Sequence, residues 1–535
     1  MEQAWARQLD KLNKVELIKL EKDGLDIVND IERFAKLGFD AIEEKDFDLL
    51  KWLGLYISRP KEAGFFLLRV KVPGGVLTSA QARVLGSLAR DYGRSLLDIS
   101  TRHAIQLHWI RVEYLPDIFD RLEKAGLSCL ESAGDCPRTI VGNPVAGYDP
   151  EEVIDAAPIL QQVSDFFHNN RDFSNLPRKF KMSISGSIHN PVHAEINDLS
   201  FTPAEKELAG EKVLGFNVLV GGGLSAQPSM AVPLNIFVRP EQVLTVAKAV
   251  AAIFRDYGYR EKRNHARLKF LLQDWGIHKF REEVVKLTGQ LAAGGRDLTV
   301  DWNAGCLYGV NKQKQAGLNY VGLSIPLGRL DAGEMEQLAA LAEQYGDGSL
   351  RTTNAQNIMV LNIPDGQVEK LLAEPVLTRL TPFPAPFTAR AVCCTGTQFC
   401  PLGIAETKQR AAAILAYLDK QVKLAEPLVL HISGCVNSCA QQQVADIGLQ
   451  GVMAKVGDQL TEAFVFSLGG KLGPQAAFSV KLKGSVPADH AAKAIESLAV
   501  FFTTGKLPGE HFNQFVQRVG LAGFQLELDK YIAQG

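Results

Sequence analysis

The chain has 535 residues, a formal net charge of −2, and 46% hydrophobic against 22% charged residues. That length suits roughly two to four domains, each with its own core. The near-neutral balance excludes a whole-molecule field for nucleic acid or an anionic membrane, and the ordinary composition excludes a disordered or low-complexity chain.

Residues 1–50 alternate charged and apolar residues at helical spacing, which predicts a helical extension. They lack the basic start and apolar core of a secretory signal, and no apolar run reaches membrane-spanning length, so the expected location is the cytoplasm. From Val72 the chain reads VPGGVLTSAQARVLGSLARDYG, and 253 residues later it reads IPLGRLDAGEMEQLAALAEQYG without a gap. Each copy reads as strand, turn, amphipathic helix and second strand. Leu85, Leu88 and Ala89 carry the helix signal, and DISTRHAIQLHWI forms the second strand.

A second repeat pairs SISGSIHNPVHAEINDL at Ser183 with HISGCVNSCAQQQVADIG at His431, 248 residues on. FNVLVGGGL at Phe216 and FVFSLGGKL at Phe464 share that spacing. The chain is therefore expected to be a duplicated α+β module. Residues 258–290 predict a cation-rich helix–turn–helix. The GGG at 221–223 runs into LSAQP, so no dinucleotide fingerprint is present.

Eight cysteines in so long a chain do not form a secreted disulfide framework. Four of them form two tight pairs, Cys394 with Cys400 and Cys435 with Cys439. Four thiolates so placed can grip one tetrahedral soft metal or one iron–sulfur cluster. Zinc stays open as an alternative, although the five-residue gap in the first pair is wide for a zinc knuckle. In the other copy, Ser187 and Pro191 stand at the positions of Cys435 and Cys439, so only one half can hold the centre. Cys129 and Cys306 read as buried and inert, and Cys136, close to Arg138, receives no role. Gly434 is expected to let the backbone turn sharply after the strand EPLVLHISG.

The flanks CCTGTQFCPLGIAETK and SGCVNSCAQQQVADIGLQG resemble the paired cysteine motifs of the sirohaem nitrite and sulfite reductases. The resemblance runs from about residue 50 to about 520 and includes QKQAGLNYVGL at 313–323. It implies an α/β (α+β), internally duplicated, pseudo-twofold three-domain architecture. Residues 51–125 with 310–388 would form a ferredoxin-like repeat domain. Residues 126–309 would be the first sirohaem-binding half, and 389–535 the second half with the cluster.

The resemblance also implies sirohaem and one 4Fe–4S cluster held by Cys394, Cys400, Cys435 and Cys439, with Cys439 bridging to the sirohaem iron and Asn437 beside the cluster. The family motif places its ligand immediately before Thr-Gly, which selects Cys394 over Cys393. Arg102, Arg138, Lys179 and Lys181 would bind the substrate anion. Arg178, Asn264, Arg267, Lys269 and Lys314 would meet the sirohaem carboxylates. An external carrier, ferredoxin, would supply electrons to a monomeric chain.

Six-electron reduction of sulfite to sulfide is the favoured expectation, because Lys179-x-Lys181 resembles the sulfite-reducing members. Nitrite to ammonia at the same site, or both anions, is the alternative, supported by the cysteine flanks. A non-catalytic iron–sulfur carrier or sensor is the alternative of another class.

Overall fold

The computed structural model describes residues 9–300, 307–473 and 476–532. Cys306 lies outside these. The first repeat builds two five-stranded antiparallel sheets that exchange a strand. One sheet runs Leu55–Ile57, Phe66–Val70, Ile105–Ile110, Leu96–Ile99 and then Arg329–Asp331 from the second copy. The other runs Gly309–Lys312, Leu318–Leu323, Ile358–Pro364, Ser349–Thr352 and then Val76–Thr78 from the first copy.

The duplication is visible in the register: Leu97 pairs with Leu107, and Leu350, 253 residues on, pairs with Val360. Helices Ser79–Tyr92 and Ala332–Tyr345 follow the exchanged strands and pack on each other. Both open on a capping box, Thr78 with Gln81 and Asp331 with Glu334, which satisfies the free amides of the first turn. One apolar core, from Ile18 to Leu380, runs through both copies.

The segment DISTRHAIQLHWI is two strands, not one. Leu96–Ile99 and Ile105–Ile110 form a hairpin whose tip is closed by Ser100 N–H donating to Ala104 O at 2.9 Å, with His103 left-handed at φ 63°. Arg102 stands on that tip.

The second repeat gives two matching mixed sheets. In the first half, Val141–Gly142, Met182–Ile184 and Leu199–Leu208 are parallel neighbours, followed by Glu211–Val220 and Val232–Val238. In the second half, Ala391–Cys393, Leu430–Ser433 and Ile447–Val456 are parallel, followed by Gln459–Leu468 and Val480–Lys481. Leu199 pairs with Val220, and Ile447 pairs with Leu468, 248 residues on. Each sheet buries its own core.

The cation-rich stretch 258–290 is a short 3-10 turn at Arg263–His265 and a helix at Leu268–Thr288. That helix is kinked at Gly276, where φ is 72°. The N-terminal segment is a cover on the first half. Trp52 Nε1 donates to Ser174 O at 2.7 Å, and Lys19 Nζ donates to Leu176 O at 2.9 Å. Among the described residues no helix is long and apolar enough to cross a membrane.

Candidate active site

Parallel strands end at one sheet edge, so the loops that follow them meet there. Cys394 follows Ala391–Cys393, and Cys435 follows the neighbouring strand Leu430–Ser433. Gly434 N–H donates to Cys394 Sγ at 3.1 Å, a contact that favours the thiolate. The expected sharp turn at Gly434 is not its role, since its φ is not left-handed. A side chain there would sit 2.7 Å from Ala405 O, so the glycine permits close packing of two loops.

Burial first, and then neighbouring thiolates that include Cys439, push the thiols of Cys394, Cys400 and Cys435 above their ordinary value. Cys439 is thus within electrostatic reach of the other three. Asn437 hydrogen-bonds Cys435 through both side chain and backbone. Cys393 turns into the apolar core, and its N–H donates to Gln356 Oε1 at 2.9 Å. Cys129 and Cys136 are buried, and Cys136 Sγ donates to Ala133 O at 2.9 Å. Among the described residues, no three Cys, His, Asp or Glu side chains stand at single-ion spacing.

Cys439 is exposed, and it faces a polar recess that Arg102 and Lys181 also line. Thr101 Oγ1 donates to Cys439 O at 3.2 Å, which ties the Arg102 hairpin to the cysteine loop. The lysine pair lies in an extended run just before Met182–Ile184. Phe180 between them is fully buried against Phe254, so period-two alternation sends Lys179 and Lys181 to the opposite side.

Neither ammonium has a hydrogen bond or ion pair among the described residues. Burial, then Lys181, Arg267, Arg178 and Arg138, hold Lys179 well below its usual pKa. Burial, then Arg102 and Arg267, bring Lys181 down to about 7 against the pull of Cys439 and Asp198.

The other cations differ in how much of their hydrogen bonding is already used. Arg102 donates to Asn197 Oδ1 at 2.7 Å, Thr139 O at 2.8 Å and Met182 O at 3.0 Å, while its buried Nε has no partner. Arg138 donates to Gly134 O and Ser132 O. Arg267 forks onto Asp198 at 3.1 and 2.8 Å. Arg178 and Arg263 share the buried Asp135 with Lys19. Lys269 donates to the Gln227 carbonyl beside Arg267. Asn264 is exposed on the 3-10 turn. Lys314 is set apart from these groups and pairs with Glu152 at 3.6 Å.

Sequence reasoning missed Arg69 and Tyr56. The Arg69 guanidinium lies over the Tyr56 ring, 5.1 Å from its centroid. Its two side-chain hydrogen bonds, to Ser132 O and Gln106 Oε1, are both a long 3.4 Å, and its buried Nε has no partner. Burial raises the Tyr56 pKa, but Arg138 and Arg69 more than offset it and hold the phenol below its usual value. The available signal was position: Arg69 stands in RVKVPGG, directly before the first repeat.

Fold and site together define a class. A duplicated α/β chain sets a nest of four thiols against a cation-lined cleft, which is the equipment of a redox enzyme for a small anion. A family model described as the nitrite and sulphite reductase 4Fe-4S domain matches residues 133–291 and 386–534. A second, the nitrite/sulfite reductase ferredoxin-like half domain, matches residues 58–125 and 311–376.

The chain is 41% identical over 499 residues to the ferredoxin–nitrite reductase of Synechococcus elongatus, covering 92% of this chain and 96% of that one. It is 36% identical over 538 residues to the assimilatory ferredoxin-dependent nitrite reductase of Haloferax mediterranei, covering 95% and 92%. The structure of the Mycobacterium tuberculosis NirA protein superposes with a TM-score of 0.91 at 35% identity, covering 98% and 99%. The chain belongs to the sirohaem- and 4Fe–4S-containing nitrite and sulfite reductase family, and it is an oxidoreductase.

The residues present suit both cofactors. The cluster needs deprotonated sulfur, and the cysteine nest supplies a backbone N–H to Cys394 and an amide to Cys435. A polycarboxylate macrocycle needs many cations, and the cleft holds orphaned guanidinium nitrogens on Arg69 and Arg102 and two unpaired ammoniums. Gly223 leaves the face of the Arg267 guanidinium open; a side chain there would sit 2.9 Å from it.

Proposed function

We propose that the chain reduces nitrite to ammonia with electrons from ferredoxin. The observation that carries an anion substrate is the pair Lys179 and Lys181, whose partnerless ammoniums neighbour each other amid other cations, with Lys181 lining the recess that Cys439 faces. The names of the relatives support nitrite, and this replaces the expectation of sulfite drawn from Lys181. The physical reason is that two ammoniums attract either anion, so their charge alone does not discriminate. Sulfite to sulfide remains as a second reading, because Lys181 leaves a donor free for an additional oxygen.

In this reading Cys394, Cys400, Cys435 and Cys439 would hold the cluster, with Cys439 the one that lines the cation recess. Arg178, Arg267 and Lys269 answer sirohaem carboxylates, with Asn264 and Lys314 further out. When bound, the two cofactors would supply the electrons and the redox-active iron for the reduction. Nitrite takes up six electrons and eight protons and leaves as ammonium and two waters.

Lys179, Lys181, Arg138 and Arg69 hold the anion and balance negative charge as it accumulates. A Lys181 pKa of about 7 lets that ammonium give a proton and regain one near neutral pH. Arg102, whose terminal guanidinium nitrogens bond Asn197, Thr139 and Met182 while Nε stays unpartnered, positions the walls of the cleft.

The test is anaerobic steady-state kinetics with a reduced viologen, scoring ammonium from nitrite and sulfide from sulfite. A higher kcat/KM for nitrite is expected; a higher value for sulfite overturns the assignment.

A further inference from the structure

A second cavity stands apart from the cation cleft. It measures about 620 Å³ and lies on the far side of a wall formed by Pro191, His193 and Asn354. Two of these, His193 and Asn354, also line the recess that holds Lys181 and Cys439, so the two spaces stand back to back.

The wall itself is symmetric. His193 and Gln441 are 248 residues apart, both are left-handed with φ of 51° and 62°, and His193 Nδ1 bonds Gln441 Oε1 at 2.7 Å. The pseudo-twofold axis passes between them. The large cavity is thus the second copy's version of the cation cleft, and Asp446 lines it where Asp198 stands in the first.

Its chemistry has been rewritten. Ala355 stands at the position of Arg102, and Val429 at that of Lys181. The cations that suit a polycarboxylate ring are therefore gone from those places. In their stead the cavity has Arg390 and Lys471, whose side chains make no hydrogen bond or ion pair among the described residues, and Lys506, which rests on the Phe502 ring. His431 is 5% exposed and bonds Gln441 O through Nδ1 at 3.1 Å, which leaves Nε2 as an acceptor.

Val392, Leu428, Val444 and Phe512 provide apolar wall. Asp446 and the rim residue Glu426 are the acids. Asp446 accepts from Val429 N–H at 2.9 Å and feels the Arg390 charge without a direct ion pair to it, and Glu426 pairs with His511 at 3.2 Å. A chamber that combines this apolar wall with a guanidinium that makes no hydrogen bond or ion pair among the described residues is the complement of an apolar body bearing one acid group.

We propose that this cavity is a second ligand site and that it takes a small organic acid, with an apolar or aromatic body in the chamber and its carboxylate on Arg390. Loss of the first-copy cations then marks a change of ligand at a duplicated site. The cavity keeps the position of the ancestral cleft and shares its wall with the redox site, so an occupant would sit against His193.

The experiment is isothermal titration of the holoenzyme with 1-naphthoate as the probe. Two variants accompany it: Arg390→Gln, which removes the anchor, and Leu424→Trp, which fills the chamber from the Lys423–Leu428 loop. Saturable binding at one site per chain is expected, weakened at least tenfold by either variant, with the sirohaem absorption unmoved by the probe. Should Arg390→Gln fail to fold, Leu424→Trp decides alone. The proposal is overturned if no saturable binding is seen, if binding survives in Leu424→Trp, or if naphthoate shifts the sirohaem bands and so binds at the cleft instead.

Discussion

Lys181 and Glu131 show how burial gives single residues distinct behaviour. Burial and neighbouring cations bring the Lys181 pKa down to about 7, and a neutral amide there would keep the donor while losing the charge. Lys181→Asn is therefore expected to raise the ratio of nitrite to sulfite kcat/KM by about tenfold; an unchanged ratio in the viologen assay would remove Lys181 as a selector. Glu131 belongs to the scaffold. Burial pushes its carboxyl up to about 7, with Lys71 opposing, and only Oε2 is satisfied, by Asn169 N–H at 2.7 Å.

An acid with a raised folded pKa binds its proton more tightly when folded. Stability tied to Glu131 is thus intact below the usual carboxyl pKa and declines as pH rises to about 7, by about 3 kcal/mol in all. Glu131→Gln is expected to match the wild type in thermal melts at pH 4.5 and to melt higher at pH 8. Equal melting temperatures at both pH values would show that the buried charge costs nothing.

The loop between Cys394 and Cys400, proposed as cluster ligands, depends on one aromatic residue. Phe399 is 1% exposed, stacks on His108 with centroids 4.0 Å apart, and meets Trp109 edge-on at 4.9 Å. His108 is held in turn by Asp98 at 2.9 Å, and Asp98 is gripped by Arg329 at 2.8 and 3.0 Å. The cysteine loop is therefore clamped onto the ferredoxin-like hairpin by packing and by a buried charge network.

Phe399→Ala is expected to cost about 3–5 kcal/mol and to leave a cluster that is lost on dilution into chelator. Iron content and the broad cluster absorption after gel filtration report the outcome. Full iron retention would mean that the thiols hold the loop without the clamp. The tight pairs Cys394 with Cys400 and Cys435 with Cys439 were legible from spacing alone, but the role of Phe399 was not, because its partners lie almost 300 residues earlier in the chain.

At the scale of the molecule, the strand exchange makes the two ferredoxin-like copies inseparable. Val76–Thr78 completes the second copy's sheet, and Arg329–Asp331 completes the first copy's. A chain divided at Gly289, where φ is 78° and no atom crowds the residue, is expected to yield fragments that aggregate separately and co-purify as a one-to-one complex when expressed together. Two fragments that are each monomeric and soluble would argue that the exchanged strands are dispensable.

The periodic repeats at 253 and 248 residues, the paired cysteines and the Lys-x-Lys alternation are local or self-similar patterns, and the sequence by itself determined them. They established the duplicated α/β class, the candidate cluster ligands and the side of the chain on which Lys179 and Lys181 lie. Only the tertiary structure decided which donors remain free. Arg102 and Arg69 look alike as letters, yet Arg102 spends its guanidinium on Asn197, Thr139 and Met182, while Arg69 makes only long contacts.

The folded chain also decided that DISTRHAIQLHWI turns back at His103 and that the duplicated cleft survives as a chamber lined by Arg390 and Lys471. These outcomes depend on which backbone carbonyls and carboxylates arrive from distant segments. Hydrogen-bond satisfaction is a property of the assembled fold, not of any one stretch of residues.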